Sequence, residues 1–161
     1  MADKEHRNLT GADLHEPKGV ATAAANTVYR ATGAGTGVWT DIAAELKAGN
    51  RVAVTTRIDD ISTASSVWAV APIAGNVIGI YIVLHNAITV ADSTVTAEIN
   101  GVAMSGLSIT VAFTGSAAGT TFSGTPSGGN AVSAGTAIEI ITDGASTTAC
   151  KADVTIMIDT E

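Results

Sequence analysis

The sequence predicts an all-β protein: an antiparallel β-sandwich, jelly-roll-like, preceded by an extended N-terminal arm and a small β-hairpin. Three observations carry this expectation. Apolar and polar residues alternate with a period of two in run after run from about Asp60 onward. Turn signals punctuate those runs at spacings of roughly 8–12 residues. No segment after Asn50 repeats its apolar residues at helical spacing. The expected division is 1–50 for the arm with its hairpin and 51–161 for the sandwich body.

Taken in chain order, the first 25 residues mix charge with small side chains and show no period long enough to bury a face. In "TVYRATGAGTGVWTDI", Val28-Tyr29 and Val38-Trp39 flank a glycine-rich turn, which predicts the hairpin. "DIAAELKAG" suits a short helix, with Asp41 as its N-cap and Gly49 as its stop. The uncharged stretch Val67–Leu84 is long enough to be considered as a membrane span. Pro72, Gly75 and Asn76 break it where a turn belongs, so two buried strands are expected instead.

In "VIGIYIVLH", Ile78, Ile80, Ile82 and Leu84 share the expected inner face, against Val77, Gly79, Tyr81, Val83 and His85 outside. "TVTAEI" points Val95, Ala97 and Ile99 inward, and "LSITVAFT" points Leu107, Ile109, Val111 and Phe113 inward. Near the C-terminus, Val154, Ile156 and Ile158 oppose Asp153, Thr155 and Asp159. Asn100-Gly101 is the strongest hairpin signal, because both residue types accept positive φ. About eight strands are expected from Val52 onward.

Composition narrows the function. Hydrophobic residues make up 46% of the chain but aromatic ones only 4%, so the core must be built from short aliphatic side chains. Each of these contributes less on burial than a ring would, and association of identical chains would add buried area. The formal charge is −7, and Ile58–Cys150 holds no basic residue. Binding to phosphates requires clustered Lys and Arg, so neither a nucleic acid nor an anionic membrane surface is an expected partner of the body. No apolar segment follows the charged N-terminus, so no secretory signal is expected.

The candidate chemical motifs are weak. Gly33-Ala34-Gly35-Thr36-Gly37 lacks both the dinucleotide fingerprint and the Gly-Lys-Ser/Thr of a phosphate loop, so a hairpin turn explains it better. His6 and His15 lie near Asp3, Asp13 and Glu16, yet their spacing matches no short zinc pattern. Asp59-Asp60 reads as a turn, since no calcium loop surrounds it. Cys150 is the single cysteine and has no evident base partner, so it is expected in the core. There is no G-x-S-x-G elbow. No catalytic, metal-binding or cofactor-binding residue is assigned, and the chain is not expected to be an enzyme.

One stretch carries a more specific signal. "NLTGADLHEPKGVATAAANTVYRATGAGTGVWTDI" resembles the N-terminal region of head-fibre and capsid decoration proteins of tailed bacteriophages. The matching residues run from Asn8, Leu9, Thr10 and Gly11 through Leu14, His15, Glu16, Pro17, Lys18 and Gly19. They continue with Val28, Tyr29, Ala31, Gly33, Gly35, Gly37 and Trp39, so the resemblance covers about the first 42 residues. It implies attachment to the major capsid protein of an assembled head, a β domain displayed on the outer surface of the virion, commonly a homotrimer, and synthesis in the host cytoplasm. It assigns the capsid contacts to Asn8, Leu9, Leu14, His15, Glu16, Pro17, Lys18, Tyr29 and Trp39. The alternative is a receptor- or glycan-binding fibre tip. Sugar platforms use exposed rings, and the few rings here fall mostly on predicted strands, which leaves few for such a site.

Overall fold

The computed structural model describes residues 24–33, 36–42 and 50–160. The chain divides into two units, Met1–Gly49 and Asn50–Glu161. The arm up to residue 23, the glycine-rich turn at 34–35 and most of the expected 41–49 helix lie outside the described residues.

In the first unit, β1 (Thr27–Gly33) pairs antiparallel with β2 (Thr36–Asp41), forming the expected hairpin. Its base is closed by the Ile42 amide, which donates to the Asn26 carbonyl at 2.8 Å.

The second unit contains β3 (Arg51–Ile58), β4 (Ser65–Val70), β5 (Gly75–Leu84), β6 (Ser93–Ile99) and β7 (Val102–Ala103). It continues with β8 (Ile109–Val111), β9 (Thr121–Gly124), β10 (Ala131–Val132), β11 (Ala137–Thr142) and β12 (Ala152–Asp159). One sheet runs β10-β5-β12-β3, with β9 also on β5; the other runs β4-β11-β6-β7, with β8 also on β6. The pairing is that of one long hairpin rolled up. β3 pairs β12 and β4 pairs β11, β5 pairs β9 and β10, and β6 pairs β7 and β8. The contacts β5–β12 and β6–β11 then close the roll. This is the jelly-roll arrangement of two Greek keys. More strands form than expected because two of the return positions are each split in two.

The apparent membrane stretch Val67–Leu84 supplies β4 to one sheet and β5 to the other. Among the described residues, no helix is long and apolar enough to cross a membrane. Asn100 (φ 53°) and Gly101 (φ 76°) both take the left-handed conformation between β6 and β7, as the hairpin signal requires.

The core is aliphatic: Ile58, Ile80, Ile82, Leu84, Ile138, Ile140, Ile156 and Ile158 are buried between the sheets. Phe122 packs against it at partial burial, and Cys150 lies within it. Two expected core residues are misplaced. Opposite β12, β5 carries a bulge: Met157 faces Gly79 and Ile158 faces Val77, so Ile78 is the extra residue. Val77 therefore takes the buried position and Ile78 is only half-buried, because one inserted residue switches the face of everything before it. Phe113 lies beyond the end of β8 and is 41% exposed. Asp92 Oδ1 accepts from its amide at 2.9 Å, and the chain turns there, with the Ser116 amide donating to the Phe113 carbonyl.

Buried hydroxyls are satisfied. Ser93 Oγ donates to the Ile61 carbonyl at 3.2 Å and Thr142 Oγ1 donates to the same oxygen at 3.1 Å. These bonds tie the turn after β3 to β6 and β11.

Candidate functional site

Of the expected contact residues, Tyr29 and Trp39 are described; Asn8, Leu9, Leu14, His15, Glu16, Pro17 and Lys18 lie outside the described residues. The hairpin register places Tyr29 directly opposite Trp39. Their ring centroids are 5.3 Å apart at an interplanar angle of 61°, an edge-to-face contact that matches a positive ring edge to a negative ring face. The Tyr29 ring lies over Gly37: a Cβ there would meet it at 2.5 Å. Any other residue at position 37 would displace the ring. On the opposite face of the ribbon, Val28 and Val38 are 40% and 50% exposed.

The body carries a second constellation, on the outer face of the β5-β12-β3 sheet. Arg57 Nε donates to Asp153 Oδ1 at 2.6 Å, and His85 Nε2 lies 2.8 Å from Asp153 Oδ2. The bond from Arg57, followed by that with His85, holds the Asp153 carboxyl below the usual range. Asp153 in turn raises Arg57. A shallow depression of about 450 Å³ is lined by Thr55, Thr56, Arg57 and Asp153. In the next row along the sheet, Thr155 faces Thr55 on one side and Tyr81 on the other. The alternation of "VIGIYIVLH" already put Tyr81 and His85 on one outer face. Nothing local indicated that Arg57 would meet Asp153.

Asp60 has a structural role. Its Oδ1 accepts from the Ser62 amide at 2.9 Å, the Ser62 hydroxyl at 2.7 Å and the Cys150 amide at 3.2 Å, while Oδ2 accepts from Thr63. The Ser62 hydroxyl is the main reason its pKa lies below the ordinary value. This is the turn expected of Asp59-Asp60, drawn onto β12's approach through Cys150. Among the described residues, no three His, Cys, Asp or Glu side chains converge as a metal site would need. Rings on strands are not all internal: Trp68 on β4 and Tyr81 on β5 are 59% and 52% exposed, contrary to the expectation that strand rings leave few for a surface site. Tyr81 alternates with the buried Ile80 and Ile82, and Trp68 stands between the partly buried Val67 and the buried Ala69.

Fold and surface together define the class: a jelly-roll β-sandwich with a solvated polar sheet face, accompanied by a separate aromatic hairpin. No protein-family model matches the chain, and neither does any curated protein. Among solved structures it has a weak neighbour in the cyanophage Pam1 capsid asymmetric unit, with a TM-score of 0.47 and 16% identity over 70% of this chain and 86% of that one. Likeness at that level establishes no shared role.

Proposed function

We propose that the chain is a structural, non-enzymatic virion protein that decorates the outer surface of a tailed-phage capsid. The N-terminal region attaches to the major capsid protein, and the jelly-roll body is displayed outward as part of a homotrimer and stabilises the head. The observation that carries this reading is the motif from Asn8 to Trp39, with Asn8, Leu9, Leu14, His15, Glu16, Pro17 and Lys18 as its docking residues. The hairpin geometry supports it. Two residues of the motif, Tyr29 and Trp39, form one edge-to-face pair, and a third, Gly37, makes room for the tyrosine ring.

Charge favours the same assignment. Five of the 8 Lys and Arg lie in Met1–Gly49, and of the three in the body Arg51 and Arg57 are paired with Asp159 and Asp153, so most cations that could meet an acidic partner surface reside in the N-terminal part of the chain. Three arms on one trimer would add their weak contacts into tight holding.

Deletion of residues 1–24 tests this. The truncated protein is expected to fold and to lose binding to undecorated capsids in a co-sedimentation assay. Undiminished binding would assign attachment to the body and overturn the reading.

A further inference from the structure

We infer that the outer face of the β5-β12-β3 sheet is a binding site for a neutral oligosaccharide, with Tyr81 as its stacking platform and Arg57, Asp153 and His85 as its polar end. The inference goes beyond capsid attachment and concerns the second unit alone.

The Tyr81 ring leans back along its own strand onto Gly79, where a Cβ would meet it at 3.3 Å. One side of the ring is thus held against backbone while 52% of the residue stays open to solvent. A fixed ring of this kind can stack on the C–H face of a sugar without first losing rotamer freedom. Two residues further along β5 is the row of Val83, Asp153 and Arg57. From Gly79 to that row the sheet extends about 13 Å at the usual strand rise. Thr155 and Thr55 supply hydroxyls in between. The track is longer than one sugar ring, so the ligand is an oligosaccharide.

The polar groups suit sugar hydroxyls, which both donate and accept. Arg57 offers N–H donors, Asp153 offers acceptor lone pairs, and the threonines offer both. Their mutual bonds at 2.6 and 2.8 Å hold the end of the track in place before any ligand arrives. Charge selects the class of sugar. From Asn50 onward there are three basic residues against nine acidic ones, a formal charge of −6, which disfavours sialylated, sulfated or phosphorylated ligands. A solvated sheet face also carries threonines and ion pairs, and Tyr81 shields Gly79. Neither role requires a half-open ring in line with a preformed donor–acceptor cluster.

The test is a titration of the full-length ¹⁵N-labelled protein with cellotetraose, maltotetraose and the tetramer of N-acetylglucosamine. One of them is expected to move the amides of Tyr81, Thr155 and Arg57, more strongly than its monosaccharide does. Tyr81→Ala should weaken that binding by about tenfold or more. Because Tyr81→Ala also uncovers Gly79, Thr155→Val and Asp153→Asn serve as variants that leave the backbone contacts in place; each should weaken binding while the protein remains folded by its amide spectrum. Three results overturn the inference: no response to any of the three sugars, a response centred on Trp68 instead, or unchanged affinity in both fold-preserving variants.

Discussion

Arg57 Nε and Asp153 Oδ1 meet at 2.6 Å although 96 residues separate them in the chain. The bond crosses from β3 to β12, the first and last strands of the roll, and His85 joins it from the end of β5. The Arg57 and Asp153 side chains are 50% and 40% exposed, so water and salt screen the attraction. Asp153→Asn is expected to lower the melting temperature slightly at low ionic strength and by less at high ionic strength. Thermal melts in the two buffers check this; a difference that salt leaves unchanged would assign the effect to packing.

Acid should destabilise the body through Asp60 and Asp153. Both carboxyls have folded-state pKa values below the ordinary 3.8, Asp60 because of the Ser62 hydroxyl and Asp153 because of Arg57. The native state therefore binds these protons more weakly than the unfolded chain does. Their contribution is present in full above the unfolded value and is lost as pH falls through the lower folded values. Asp60→Asn is expected to reduce stability at neutral pH and to flatten the acid limb. Urea midpoints measured at neutral pH and in steps below pH 4 give both quantities. An acid limb as steep as the parent's would remove Asp60 from the account.

The bulge in β5 distinguishes neighbouring isoleucines. Ile80 is 1% exposed and faces Ile156 across the sheet, so Ile80→Asp buries a charge without a partner. The expected cost is about 3 kcal/mol or more. Ile78 is the half-buried bulge residue, and Ile78→Asp should cost markedly less. Urea unfolding of the two variants tests the register, and equal losses would contradict it.

Val90 adopts φ 76° while 72% exposed. A β-branched side chain in the left-handed region is strained, and little burial is lost by replacing it. The Ala91 amide donates to the Thr89 carbonyl at 3.0 Å, which makes Val90 the centre of a γ-turn. Val90→Gly should therefore stabilise the protein by about 1 kcal/mol, since glycine takes that positive φ without a Cβ clash. A higher urea midpoint with an unchanged slope is the expected signature.

The proposed homotrimer is checked by light scattering at micromolar concentration. The aliphatic core, to which Phe122 adds a ring at its margin, motivates it, because association would add buried area. A monomer mass would exclude a stable trimer.

Local pattern determined a good deal of this protein. The alternation in Ser93–Ile99 and Ala152–Asp159, the Asn100-Gly101 turn, the hairpin of Val28-Tyr29 and Val38-Trp39, and the burial of Cys150 follow from side-chain polarity and φ preference over a few residues. Such properties are written within one strand or one turn. The tertiary structure alone decided three others. Ile78 yields its place to Val77 because the bulge is defined only against β12. Phe113 leaves the core because Asp92 and Ser116 turn the chain after Val111. Arg57, Asp153 and His85 become neighbours because the roll pairs β3 with β12 and β12 with β5. Period-two patterning tells a strand which face to bury, but every strand of a sandwich carries the same instruction. Which strand lies beside which, and so which outward residues form a site, is settled when the whole roll closes over one core.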